Sequence, residues 1–245
     1  MNQLLRAELR KLRTTRILWV IVAASQLLVI GGVSGLVLSG SRLRDPDTVS
    51  KAMAHTGLIS LCVLVLGIYA VAGEYRYQTI VDTYLSQPRR RRVLAAKLVT
   101  YPAVGLVIGL GGAVTALITT KIWWVAKDVP LSLGDANLWR TAIGGVVWNA
   151  AFAAIGVGIG ALVRNLAAAI AAALAWIALV EGIAGQLVGS TAREWLPLAA
   201  GQALGRASIG AADQLPQWGA ALVLGGYAAL IGLAAASITL RRDVT

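Results

Sequence analysis

Six apolar runs, each of membrane-spanning length, limit what this sequence can fold into. They cover Ile17–Ser39, Ala54–Ala72, Leu98–Thr120, Thr141–Val163, Leu166–Val188 and Trp218–Leu240. A bilayer core needs about 20 apolar residues per helical crossing. Lipid offers backbone amides no water, so spanning segments are helices or a closed barrel. Barrel strands alternate in polarity over about 10 residues, whereas these runs are continuous and longer. Charged residues make up 13% of the chain, against about 25% in soluble domains. The expectation is an all-α polytopic membrane protein, a single transmembrane domain over 1–245 with six transmembrane helices.

A basic opening before an apolar stretch has the outline of a signal peptide. However, 17–39 is longer than an h-region of about 7–15 residues, so it reads as a retained first span. Orientation follows from the cations. With the N-terminus inside, 14 of the 22 Lys and Arg fall on the inner side, and acidic residues leave +10 inside against +2 outside. Both termini are therefore expected to be cytoplasmic. The stretch before the first span, "MNQLLRAELRKLRTTR" (1–16), sets Leu5, Leu9 and Leu12 against Arg6, Arg10 and Arg13 at helical spacing. It predicts a basic amphipathic helix in the inner interface, in contact with membrane lipids.

One cysteine, Cys62, allows no intrachain disulfide, and one histidine, His55, allows no multi-histidine metal site. His55 reads as an interface residue near the outer end of span two. Gly31/Gly35, Gly105/Gly109, Gly156/Gly160 and Gly185/Gly189 stand at the spacing that lets membrane helices approach closely. "GVGIGALVRN" contains Gly-x-Gly without a preceding strand or a following acid, so no dinucleotide site is expected. No nucleic-acid partner and no directly bound cofactor are expected.

The wettest long stretch, "GEYRYQTIVDTYLSQPRRRRVLAAK" (73–97), lies between two spans. Tyr75, Gln78, Asp82 and Leu85 recur at helical intervals, as do Ile80 and Tyr84. A short amphipathic helix is predicted from about Glu74 to Ser86, ended by Pro88, then a basic elbow at Arg89–Arg92 and the return at Lys97. Such an insert is either a solvated loop that holds topology and binds lipid headgroups, or a docking surface for a cytoplasmic protein. Helical patterning and the exposed aromatics Tyr75, Tyr77 and Tyr84 favour docking.

Two further places carry chemistry. Glu181 lies inside span five, roughly 22 Å along its helix from Leu166, and an unpaired carboxylate there costs about 2.5–3.5 kcal/mol on insertion scales. With Trp176 and Gln186 in the same span, it is the candidate substrate pathway or gate, or a proton site; the alternative is a hydrogen-bonded packing residue. The outer segment 189–217 is too apolar for a floppy loop and is bracketed by Pro197 and Pro216. It predicts one or two short helices, either dipping back toward the bilayer to cap the outer exit or lying in the interface.

The chain resembles the permease subunits of type-2 ABC exporters, especially small six-span actinobacterial ones. The resemblance rests on "AELRKLRTTRILWV", the loop "GEYRYQTIVDTYLSQPRRRRVLAAKLV", "GVGIGALVRN" after span four, "WIALVEGIAG" in span five and the terminal "RRDV". It implies the ABCG-like type V exporter fold, in which 73–97 is a cytoplasmic coupling loop seated on a separate ATP-binding cassette ATPase, with extracellular re-entrant helices. Glu74, Arg76, Thr79, Asp82, Pro88, Arg90 and Lys97 match the loop pattern, and Tyr75 belongs to the same coupling set. Gln78 stands where the family often has glycine. The resemblance further implies that Glu74 and Arg76 transmit the push, while Arg89–Arg92 and Lys97 set the loop at the membrane. It implies two ATPase copies, a second permease copy, ATP and Mg on the partner only, and alternating access in a bacterial cytoplasmic membrane. The sequence has no GxxxxGK[ST] phosphate loop and no Gly-Lys pair, so no ATP hydrolysis by that route is expected of the chain itself. Its apolar walls suit export of an amphiphile, whether drug, antibiotic or lipid, as in multidrug efflux. The alternatives are a proton-coupled transporter or channel using Glu181, and a non-transport scaffold or immunity protein.

Overall fold

The structure, a computed structural model, describes residues 1–40, 43–184, 187, 190–207 and 215–241. Gln186, the Gly185/Gly189 pair and residues 242–244 of the terminal "RRDV" lie outside them. The described residues form helices and no strand. An interfacial helix α1 (Asn2–Thr14) is followed by α2 (Arg16–Leu38), α3 (Pro46–Ala54), a 3-10 turn (His55–Leu58) and α4 (Ile59–Arg76). Then come α5 (Ile80–Ser86), α6 (Arg90–Ala126), α7 (Ala136–Val163) and α8 (Leu166–Ala175), which continues as a π-helical segment (Trp176–Ala184). Two short helices, α9 (Ser190–Arg193) and α10 (Pro197–Leu204), precede α11 (Gln217–Arg241). Six helical stretches are long and apolar enough to cross a membrane, as expected.

Local chemistry sets the boundaries. The side chain of Asp135 caps α7 by accepting from the Asn137 N–H at 2.8 Å, and Asn165 caps α8 by accepting from Ala168 at 3.0 Å. Between α7 and α8 only Arg164, with φ 56°, and Asn165 intervene. One left-handed residue and one cap are enough to turn the chain back. Pro46 stands at the start of α3, where its missing N–H costs nothing.

Two expectations change. The predicted helix Glu74–Ser86 is two helices: α4 runs on through Arg76, a turn covers Tyr77–Thr79, and α5 begins at Ile80. The basic elbow is not a loop beyond Arg89, because Arg90–Arg92 form the first turn of α6. Hydropathy cannot see a helix continuing past the bilayer into charged residues, so the spans came out short at these ends. The link between spans one and two carries a helix, α3, on which the sequence reading is silent.

Helix α7 is the hub, packing against α4, α6 and α11. Its seams are built from glycine. A Cβ on Gly156 would strike the Leu64 carbonyl oxygen, and one on Gly160 would lie 2.6 Å from that of Ile68. Gly67 on α4 answers with equally close approach to α7. On the other side Gly105 and Gly109 of α6 let its backbone lie against Asn149. The Gly31/Gly35 pair meets nothing within 4 Å and has no such role. Span two is 72% buried and span six 17%, so span two is central and span six peripheral. Polar pairs pin α2 to α6: Thr115 donates to Gln26 Oε1 at 2.6 Å, and the Trp123 indole donates to Ser34 at 3.0 Å.

Gly156→Ala is expected to lower the thermal midpoint of the detergent-purified protein by the equivalent of about 1–3 kcal/mol, the usual cost of overpacking. Gly31→Ala is expected to stay within about 0.5 kcal/mol, as a surface change should. Equal losses for the two would contradict the seam.

Candidate functional site

Helix α1, the end of α4, α5 and the start of α6 meet around two ammonium groups. Lys97, in the second turn of α6 and 2% exposed, donates to Glu8 Oε2, Glu74 Oε1 and the Ala70 carbonyl, each at 2.8 Å. Lys11 donates to Glu74 Oε1 at 2.8 Å, Glu8 Oε1 at 3.2 Å and the Thr83 hydroxyl at 3.2 Å. Each ammonium thus has three acceptors, and the four charges sum to zero. Burying a charge is tolerable only when it is paired and hydrogen-bonded like this. Glu8 and Lys11 reach the site together because they are three residues apart on one helix face. Glu74 Oε2 is buried with no hydrogen-bond partner.

Burial works against the charged form of Lys11. The hydrogen bond and charge of Glu74, with those of Glu8, outweigh it and raise the pKa above the ordinary lysine value of 10.5.

Helix α5 hangs from this network through Thr83. Its inner face is held by Ile80, which is buried, and by an aromatic–cation cluster. Tyr84 lies beside Tyr75, and burial, then its interaction with Tyr75, raises its pKa. The Arg90 guanidinium lies 5.2 Å from the Tyr84 ring, and that of Arg164 lies 5.4 Å from the Tyr75 ring. The outer face is bare: Val81 is 47% and Leu85 77% exposed, and Asp82, Arg76, Gln78, Thr79 and Pro88 are exposed beside them.

The turn before α5 has a local cause. Gln78 adopts φ 59° just beyond the end of α4, the position where helices most often end on glycine. The glycine common in the resembling family fits that geometry, and Gln78 occupies it at a cost of about 1–2 kcal/mol.

The expected coupling residues therefore divide. Glu74 and Lys97 are interior, Tyr75 and Arg90 are half-buried, and the others face outward. Sequence reasoning missed Glu8, Lys11, Thr83 and Arg164. Glu8 had a signal: it is the one carboxylate among five cations in 1–16. Leu9, expected on the apolar face of α1, is 46% exposed, while Glu8 is buried one residue earlier.

At the other end of the bundle, Glu181 Oε2 accepts from the backbone N–H groups of Leu198 at 2.6 Å and Ala199 at 3.2 Å. It caps α10 from a distance, so the packing reading of this residue has its hydrogen bonds. Trp176 and Glu181 line one cavity. Among the described residues, no three His, Cys, Asp or Glu side chains gather as a metal site.

The family profile described as ABC-2 family transporter protein matches residues 4–185. That range takes in α1, both sides of the ion-pair network, α5 and Glu181. No curated protein matches the chain.

Lys97→Met is expected to destabilise by about 3–5 kcal/mol, because it leaves two carboxylates facing one ammonium. A Glu8→Ala/Lys97→Met double-mutant cycle should show coupling of about 0.5–3 kcal/mol, and additive losses would dissolve the network. A raised lysine pKa adds stability that is whole below the ordinary lysine value and is lost as pH rises through the folded one. The thermal midpoint should therefore fall more steeply above about pH 10.4 in the wild type than in Lys11→Gln. Gln78→Gly should raise stability by about 1 kcal/mol by removing the left-handed strain, whereas Gln78→Val should lower it.

Proposed function

The chain belongs to the ABC-2 family of transporter proteins, and we propose that it is the membrane permease subunit of an ATP-driven exporter whose ATPase is a separate polypeptide. Helix α5 is the coupling helix. It seats in a groove of an ATP-binding cassette subunit, two copies of which work with two permease copies in a bacterial cytoplasmic membrane, both permease termini facing the cytoplasm. ATP and Mg bind on that partner. The cargo is an amphiphile such as a drug, antibiotic or lipid, moved by alternating access.

The observation that carries this reading is the two-faced α5. Ile80 and Tyr84 hold one face while Val81 and Leu85 are bare on the other, which is the composition of a contact core with a charged rim from Arg76 and Asp82. The ion-pair network supports the transmission of force. A displacement of α5 pulls on Thr83 and hence on Lys11, Glu74, Glu8 and Lys97. The interfacial helix and two spans then move as one body. Glu74 and Lys97 act as the internal joint and not as partner contacts. A proton-driven transporter centred on Glu181 has less support, since one carboxylate oxygen is already held by two backbone N–H groups.

The test is capture of the tagged chain from its native membrane, followed by assay of co-purifying Mg-dependent ATP hydrolysis. Leu85→Asp should reduce the captured activity at least tenfold, with the thermal midpoint of the chain unchanged. Undiminished activity with Leu85→Asp, or none with the wild type, would defeat the assignment.

A further inference from the structure

A cavity of about 460 Å³ lies between spans five and six. Its floor is α7, at Phe152 and Ile155. One wall is α8 with the π-helical segment, the other is α11, and Pro197 at the start of α10 closes the outer end. Helices α8 and α11 both pack on α7 but scarcely touch one another, so the space is a groove open sideways along its length.

Among the described residues, the lining is aliphatic and aromatic except for one ionisable carboxylate, Glu181, and it includes no lysine, arginine or histidine. Glu181 is 5% exposed. Its Oε2 is taken by the first turn of α10, while Oε1 is buried without a hydrogen-bond partner. Trp176, five residues before Glu181 in the π-helical segment, lines the same groove. Tyr227 lines the opposite wall. One end of an otherwise greasy groove therefore holds an unpartnered carboxylate oxygen and two aromatic rings.

We propose that this groove binds a monovalent hydrophobic cation, with the positive charge at Glu181, Trp176 and Tyr227 and the apolar body lying on α7. This rests on the exporter reading and names the class of cargo the permease takes up sideways from the membrane. The volume matches that of sites for drug-sized ligands. Aromatic faces attract cations, and a buried acceptor favours an occupant that satisfies it. A lipid acyl chain would leave Oε1 as it is, an anion would be repelled, and the apolar face of a second copy would bring no donor.

The chain in nanodiscs of zwitterionic lipid separates these occupants, with empty nanodiscs as background. The probes are tetraphenylphosphonium and tetraphenylborate, which are close in size and opposite in charge. Saturable binding is expected for the cation and not for the anion. Glu181→Gln keeps an oxygen for the α10 N–H groups while removing the charge, and it should weaken cation binding at least tenfold. Ala172→Leu narrows the groove from the wall, leaves Glu181 in place and should also weaken it. Equal binding of the two ions would overturn the proposal, as would unchanged cation affinity in either variant. No nucleotide or ATPase enters this assay. Charge-selective binding without captured ATPase would therefore sink the exporter reading alone, and captured ATPase without charge-selective binding would sink this one alone.

Discussion

The pairing of Lys97 with Glu8 and Glu74, closed by Lys11, is the interaction on which the N-terminal end of the bundle depends. The charges of Lys97, Glu8 and Glu74 would each be costly to bury alone; they become tolerable because, with the half-exposed Lys11, they neutralise one another and both ammonium groups find three acceptors. The geometry joins elements distant in sequence: an interfacial helix, the end of one span, the start of the next and the short helix between them. A hydrophobic contact could hold these parts together but would let them slide. Short charge-assisted hydrogen bonds fix both distance and register.

The rest of the bundle divides between tight and loose packing. Spans two, three and four share glycine seams in which backbones touch, and nothing larger fits. Spans five and six are mostly exposed, and the groove with Glu181 opens between them. The π-helical stretch in span five lies in this loose half, where a widened helix turn meets little opposing structure. Close-packed seams and a loosely packed pair of helices around the groove thus lie in different halves of the bundle.

Much of the frame was legible. Continuous hydropathy marked the spans, and the pattern of Leu5, Leu12 and the arginines marked the interfacial helix. Gly156 and Gly160 stood at the right spacing, but so did Gly31 and Gly35, which meet no neighbour; spacing shows where close approach is permitted and not where it occurs. The single helix expected from Glu74 to Ser86 failed because periodicity passed smoothly over Gln78, whose left-handed backbone breaks the run. Glu74 and Lys97 were picked out as coupling residues by resemblance, yet their partners Glu8 and Lys11 were not. Those contacts join residues up to 89 positions apart, and no local pattern encodes them.

By itself, the sequence determined that this chain crosses a membrane as helices, because a long run without polar side chains has no other way to satisfy its backbone in lipid. It also determined, through the balance of cations, which ends are expected inside. Only the tertiary structure decided which charges are buried and which are left exposed. It turned Glu74 inward and Leu85 outward, and it left one oxygen of Glu181 without a partner beside an apolar groove. Burial and pairing depend on what other segments bring to the same point in space, which is a property of the packed chain and not of any stretch of it.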